Sequence, residues 1–347
     1  MGMVLSGAMA SLPWTRPVQK AQTPDPEIER LLGGMESNIR QAFLDAIEKL
    51  AGEVDTAQIV DLLRQGLVGE AINVVNAKLL ADGMTPIALA TTNAVMAAGQ
   101  VAAVAASALP QLKGIRIGFD MVNPQTANHL RSYAMDQIRG LTSEALASVK
   151  AAVADGVAAG RGPADIARDV RAAIGLTEQQ TKAVGNFRRM LENRDKDALT
   201  RQLRDKRFDG TVRRAVEEGK ALKPDQIDKM VERYQARMLK MRAETISRTE
   251  ALRALNTGNH LTWLQAVSDG KVSADQIVRR WVVTLDGRER EAHRLIPSMN
   301  PDGVGLDEPF KSIDGPLLYP GDPSAPARAT VNCRCTVLYR IRTSPSG

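Results

Sequence analysis

The chain has 347 residues, with 46 Lys+Arg against 40 Asp+Glu and a formal net charge of +6. Hydrophobic residues make up 44% and aromatics only 3%, which excludes a disordered tail and favours helices packed through Ala, Leu, Val, Ile and Met. Two cysteines cannot build a disulfide framework, so a secreted disulfide scaffold is excluded and synthesis in a reducing cytoplasm is expected.

Residues 1–24 hold Pro13, Pro17 and Pro24 among small and polar residues without periodicity, and are expected to form a flexible arm. No basic region followed by an apolar run and a cleavage site is visible there, so no secretory signal is expected. Asp25-Pro26 is a helix start. The apolar residues that follow (Ile28, Leu31, Leu32, Met35, Ile39, Phe43, Ile47, Leu50) recur at helical spacing. Asp55 opens a second helix and Gly66–Gly69 leads into a third. Gly83-Met84-Thr85-Pro86 opens an Ala-rich helix that Pro110 ends. Residues 25–118 therefore read as an N-terminal helical region. Residues 87–109 carry no charge and are long enough to span a bilayer. Asn93, Gly99 and Gln100 interrupt the stretch, so a buried or oligomer-forming helix is expected, and no stable membrane association.

Asn123-Pro124 starts a helix running towards Arg139, and Thr142-Ser143-Glu144 starts another ending near Gly160. A compact helix spans Asp165 to Ile174. Thr177 with Gln180 forms a capping box for the next helix. A basic helix is expected over Ala198–Arg207, broken by Asp209-Gly210, and Thr211–Glu218 forms a further turn or helix. Pro224-Asp225 begins a long helix through Met230, Tyr234 and Met238 towards Leu255. Residues 119–270 thus form a helical, basic middle region. About 20 Lys+Arg against about 12 Asp+Glu fall within residues 182–253, more than the whole net excess. Arg188, Arg189, Arg201, Arg204, Arg207, Arg213 and Arg214 are the candidate contacts for double-stranded DNA or an acidic partner. They alternate with Glu192, Asp195, Asp197, Asp205 and Asp209, so a balanced, solvated helix face explains them as well.

Beyond Gly270 the pattern changes to a strand over Arg280–Leu285, a turn at Asp286-Gly287, and loops rich in Pro, Gly and Asp. Thr330-Val331 and Thr336–Tyr339 suggest a closing strand around Asn332-Cys333-Arg334-Cys335. Residues 271–347 read as an α+β module. The fold class is mainly α with this C-terminal α+β module: a helical N-terminal bundle, a helical middle, and a small, loop-rich, strand-containing C-terminal domain.

His293, Cys333 and Cys335 with Asp286 have the donor types of a zinc site. Cys-x-Cys is a poorer chelating spacing than Cys-x₂-Cys, so no metal or other cofactor is expected. The preferred reading is that His293 bonds Asp286 or a backbone carbonyl while the thiols pack on one face of the last strand. A Cys-His-Asp/Asn nucleophile is the enzymatic alternative. In an extended segment Arg334 lies on the face opposite the cysteines, where Asp286 or Glu250 is within its reach. Glu244–Arg248 and Glu250–Arg253 are spaced for helical ion pairs.

In order, Gly160-Arg-Gly-Pro-Ala-Asp-Ile166-Ala-Arg168, Ile174-Gly-Leu176-Thr, Arg248-Thr249-Glu250, Trp281…Asp286…His293 and Asn332-Cys-Arg-Cys335 resemble the phage Mu F-like head morphogenesis proteins over about residues 145–340. Arg288-Glu-Arg-Glu291-Ala292 stands where many relatives carry cysteine. The resemblance implies a non-enzymatic minor capsid protein of the virion, assembled in the bacterial cytoplasm. Its implied partners are the portal protein, the major capsid or scaffold protein, packaged DNA and further copies of itself. An internal virion protein whose Ala-rich helix acts on membranes during DNA ejection is the alternative, and a thiol or zinc enzyme a further one.

Overall fold

A computed structural model of the protein describes residues 26–342. The expected arm at 1–24 and the Asp25 cap lie outside these residues. The elements are α1 (Pro26–Glu53), α2 (Thr56–Arg64), α3 (Val68–Lys78), α4 (Thr85–Ser107), α5 (Pro124–Ala158), α6 (Pro163–Ala173), α7 (Glu178–Glu192), α8 (Asp209–Glu218), α9 (Pro224–Ser268), β1 (Ile277–Val282), α10 (Glu291–Met299), α11 (Ala327–Thr330) and β2 (Thr336–Ile341). The protein is mainly α with a C-terminal α+β module whose sheet is a two-stranded antiparallel pair.

Local chemistry starts several of the helices. The Asp55 side chain accepts from Gln58 N at the start of α2, and Asn123 accepts from Gln125 N and Thr126 N at the start of α5. The Thr177–Gln180 capping box forms in both directions at α7.

Five local expectations are corrected. Helix α5 runs unbroken through Gly140, and Thr142 caps nothing, its hydroxyl having no partner among the described residues. Gly140 is exposed, and an exposed helical glycine costs only about 0.5–1 kcal/mol. Burial of Leu130, Tyr133, Leu141, Ala145 and Val149 along the helix outweighs it. The basic helix over 198–207 is instead two 3₁₀ turns, Lys196–Thr200 and Lys206–Phe208. Asp195 and Asp205 accept from the backbone N–H two residues on, at 2.9 and 3.2 Å, and this local bonding competes with the α-helical ladder. Asp209-Gly210 opens α8 rather than breaking a helix. Strand β1 lies three residues earlier than expected, because Ile277 and Arg279 share the inward face with Trp281; Thr330 belongs to α11 and not to a strand.

Helix α9 is the spine. Its C-terminal half packs against α1 and α4, and its N-terminal half packs against α7. One apolar cluster joins α1, α4, α5 and α9 through Ile39, Val95, Leu130, Ala254 and Leu255. Another carries Trp263 and Leu252 of α9 into the strand module with Trp281, Phe310 and Val337. The stretch Val68–Ser107, which contains α4, is long and apolar enough to cross a membrane by length and composition. Here the α4 residues Ile87, Thr91, Val95 and Ala98 face the core.

Helices α4 and α9 touch backbone to backbone. A Cβ on Gly258 would lie 2.5 Å from Val95 O and 2.7 Å from Gly99 N, and the Thr262 hydroxyl donates to Gly99 O at 3.0 Å. Neither backbone can yield without separating the helices. Gly258→Val should therefore destabilise the fold by about 1–3 kcal/mol or more, as overpacked cores do, seen as a lower urea midpoint. An unchanged midpoint would show that the crossing is loose.

Candidate functional site

In the antiparallel register Trp281 stands opposite Val337 and Val282 opposite Thr336. The chain reaches β2 through Asn332, whose φ of +55° is left-handed, a conformation Asn tolerates better than most residues. This turn delivers the Asn332 N–H to the Thr249 hydroxyl of α9 at 3.0 Å. It also drives Cys333 and Cys335 inward, where both are buried. Cys333 Sγ lies 3.4 Å and Cys335 Sγ 3.6 Å from Nδ1 of His293 on α10. The Trp281 indole meets the imidazole edge to face, with ring centroids 5.5 Å apart, and Phe310 in the same way at 5.3 Å.

His293 thus bonds neither Asp286 nor a backbone carbonyl. Its Nδ1 faces the two sulfurs, and its Nε2 has no partner among the described residues. Asp286 is instead paired with Arg334 at the edge of the module, so it belongs to no cluster with His293. The Arg334 side chain is engaged with Asp286, while its carbonyl accepts from the Thr284 hydroxyl at 2.7 Å. Within the thiol pair, the hydrogen bond from Cys335 holds Cys333 below the ordinary thiol range against the opposing effect of burial, and His293 adds to it. The same bond and burial push Cys335 up.

Among the Arg-Thr-Glu residues of α9, Thr249 meets Asn332 and Glu250 meets Arg253 at 2.9 Å and the Tyr133 hydroxyl of α5. Burial, then the Glu250 charge, raises Tyr133, so the phenol stays protonated and donates. Glu244 and Arg248 do not form the expected ion pair. Arg248 instead lines a groove of about 880 Å³ together with Leu32 of α1, Asn256 of α9, and Cys333, Arg334 and Val337 of the module.

Two organising residues escaped the sequence reading. Arg279 of β1 is fully buried, and its guanidinium donates to Gly305 O at 2.8 Å, Leu318 O at 2.5 Å and Glu308 O, beneath the Phe310 ring. No carboxylate balances it among these partners; backbone carbonyls do, and they belong to the loop that closes the module. Asp322 likewise accepts from Leu318 N, Ser324 N and the Ser324 hydroxyl at 2.7–2.9 Å. The available signal for Arg279 was strand parity: a basic residue at the inward position between Ile277 and Trp281.

Most of the candidate DNA-contacting arginines are engaged internally. Arg188 pairs with Asp228 at 2.6 Å, Arg204 grips Asp209 with two bonds of 2.9 Å, and Arg207 grips Asp205. The side-chain bond from Arg207, with Arg237 nearby, holds Asp205 far below the usual carboxylate range. Arg189 donates to Asn186, and Arg201 is half-buried with its Nε unpartnered. Arg213 and Arg214 on α8 are exposed and form no ion pair among the described residues.

Arg279→Met should cost about 3 kcal/mol or more, since each buried carbonyl left without a donor costs about 1–3 kcal/mol. The loss should appear in urea unfolding and as faster protease cleavage within residues 304–318. A midpoint equal to that of the native chain would mean that water replaces the guanidinium.

His260, whose Nδ1 lies 3.3 Å from the Tyr339 hydroxyl, is pushed from 6.5 down to about 3 by burial and by the charges of Arg279 and His129. The unfolded chain takes up this proton near its ordinary value and the folded chain does not. The contribution is therefore intact above pH 6.5 and is lost as pH falls towards about 3, with a slope of up to about 1.4 kcal/mol per pH unit. His260→Gln should flatten stability against pH in this window. Parallel curves for the two proteins would assign the acid sensitivity to other groups.

In a comparison with protein families, residues 206–338 match the family described as Phage Mu protein F like protein. Searches of curated proteins and of solved structures give no match. The matched stretch begins after the Gly160–Thr177 pieces, and it contains Arg248-Thr249-Glu250, Trp281, Asp286, His293 and Asn332-Cys333-Arg334-Cys335. The stretch similar to the phage Mu F-like proteins thus holds most of the long helix, the first strand, most of the second and the buried thiol cluster.

Proposed function

We propose that this chain is a structural minor capsid protein of the phage head, acting in head morphogenesis through contact with the portal protein and packaged double-stranded DNA. The family match over residues 206–338 carries the reading. The matched residues are used to hold the fold together: Thr249 joins α9 to the turn before β2, and Arg334 holds Asp286. A Cys-His-Asp nucleophile has little support, because Asp286 is committed to Arg334 and both thiols are buried. The major capsid or scaffold protein and further copies of the chain are the other expected partners, and assembly takes place in the host cytoplasm.

For DNA, the exposed Arg213 and Arg214 are the best remaining contacts, since Arg188, Arg204 and Arg207 already hold carboxylates. An asymmetric reconstruction of the phage particle should place the chain at the portal vertex, with α8 facing DNA. Binding of duplex DNA by the purified chain should weaken steeply with salt and fall further in Arg213→Ala/Arg214→Ala. Particles that assemble normally without the chain would overturn the morphogenetic role. Salt-insensitive binding, or none, would remove the DNA contact alone.

A further inference from the structure

The one chemically unusual cluster among the described residues is the pair of thiols around His293. Cys333 and Cys335 come from the turn before β2 and His293 from α10, and all three are buried beneath Trp281. Their ligand atoms lie within 4.8 Å of one another. Zinc binds sulfur at about 2.3 Å and imidazole nitrogen at about 2.0–2.1 Å, so a tetrahedral ion sets N···S at about 3.5–3.6 Å. The two N···S separations here are 3.4 and 3.6 Å. Both sulfurs face the same ring nitrogen, Nδ1, so the three donors converge on one point. A core packed only for shape has no need of that arrangement.

From this convergence we propose that His293 Nδ1, Cys333 Sγ and Cys335 Sγ form a three-ligand site for Zn²⁺. Asp286 is excluded from the ligand set by its pair with Arg334. With no further His, Cys, Asp or Glu in the cluster among the described residues, the fourth position falls to water. Binding releases the two thiol protons to solvent and leaves the imidazole neutral, with its remaining proton on Nε2. The ion ties α10 to the turn before β2, two segments of a loop-rich module that otherwise meet in the same apolar core. Soft sulfur donors select zinc over magnesium or calcium. The site does not depend on the proposed role in the head.

The test uses the full chain, purified in reductant and stripped with a chelator, with Co²⁺ as a spectroscopic probe and Zn²⁺ as competitor. Thiolate-to-cobalt charge-transfer absorption should grow to saturation at one ion per chain and vanish on addition of Zn²⁺. His293→Asn should weaken binding by on the order of tenfold or more, at least as much as loss of an outer-shell partner does. Cys333→Ser/Cys335→Ser should abolish the band while circular dichroism retains the helices, which lie mostly in other cores. To separate loss of the ligands from loss of the module, X-ray absorption on the native zinc complex provides a second readout, with two sulfurs bound directly to the metal expected. A folded native chain without the band, a band that survives in the double variant, or a shell of nitrogen and oxygen alone would overturn the proposal.

Discussion

The contact on which the other packing depends is the backbone approach of α4 and α9 at Gly258. With no Cβ at this position, the two helices come close enough for Thr262 to donate across to Gly99 O. An Ala-rich α4 suits the same purpose, because small side chains let axes approach while still burying surface. The apolar composition that makes α4 long enough for a membrane is, in this fold, the composition of a close helix crossing. Once α9 is held there, its C-terminal half is positioned to receive the strand module. Trp263 stacks on Tyr339 with ring centroids 5.6 Å apart, Asn256 donates to Pro320 O, and Arg253 donates to Gly321 O.

The module itself is organised by polar groups as much as by its small core. A two-stranded pair has marginal stability alone, and the loops between β1 and β2 are long. Arg279 supplies the missing order by donating to three loop carbonyls from inside the module. Val304 adds backbone bonds to the free edge of β1 at 2.8 and 2.9 Å. Gly303 is required beside it, since its φ is +78° and a Cβ would lie 2.5 Å from Arg279 O. A guanidinium in such a site is costly to desolvate, and the loop carbonyls offset that cost only when the loop is closed. Closure of the loop and burial of the arginine are therefore one event.

Much of the helical architecture was legible from local signals. The starts at Asp55, Asn123, Thr177 and Pro224 rest on capping chemistry that acts within a few residues. The unbroken α5 and the 3₁₀ turns at 196–208 were not legible. In the first, tertiary burial overrides a glycine; in the second, local Asp–backbone bonds override helix propensity. The motif residues were recognisable one by one, but their partners were not. Thr249 to Asn332, Arg334 to Asp286 and His293 to the two sulfurs all join residues far apart in the chain.

The sequence by itself determined the class of fold, several helix starts and the resemblance to the phage Mu F-like proteins. Each of these is a matter of short-range spacing or of ordered motifs. Only the tertiary structure decided that His293 turns to the thiols rather than to Asp286, that Arg188, Arg204 and Arg207 are held by carboxylates while Arg213 and Arg214 form no ion pair among the described residues, and that Arg279 lies at the centre of the module. The reason is that a charged or polar side chain is defined by its partner. Those partners arrive only when α9 brings the N-terminal helices and the strand module together.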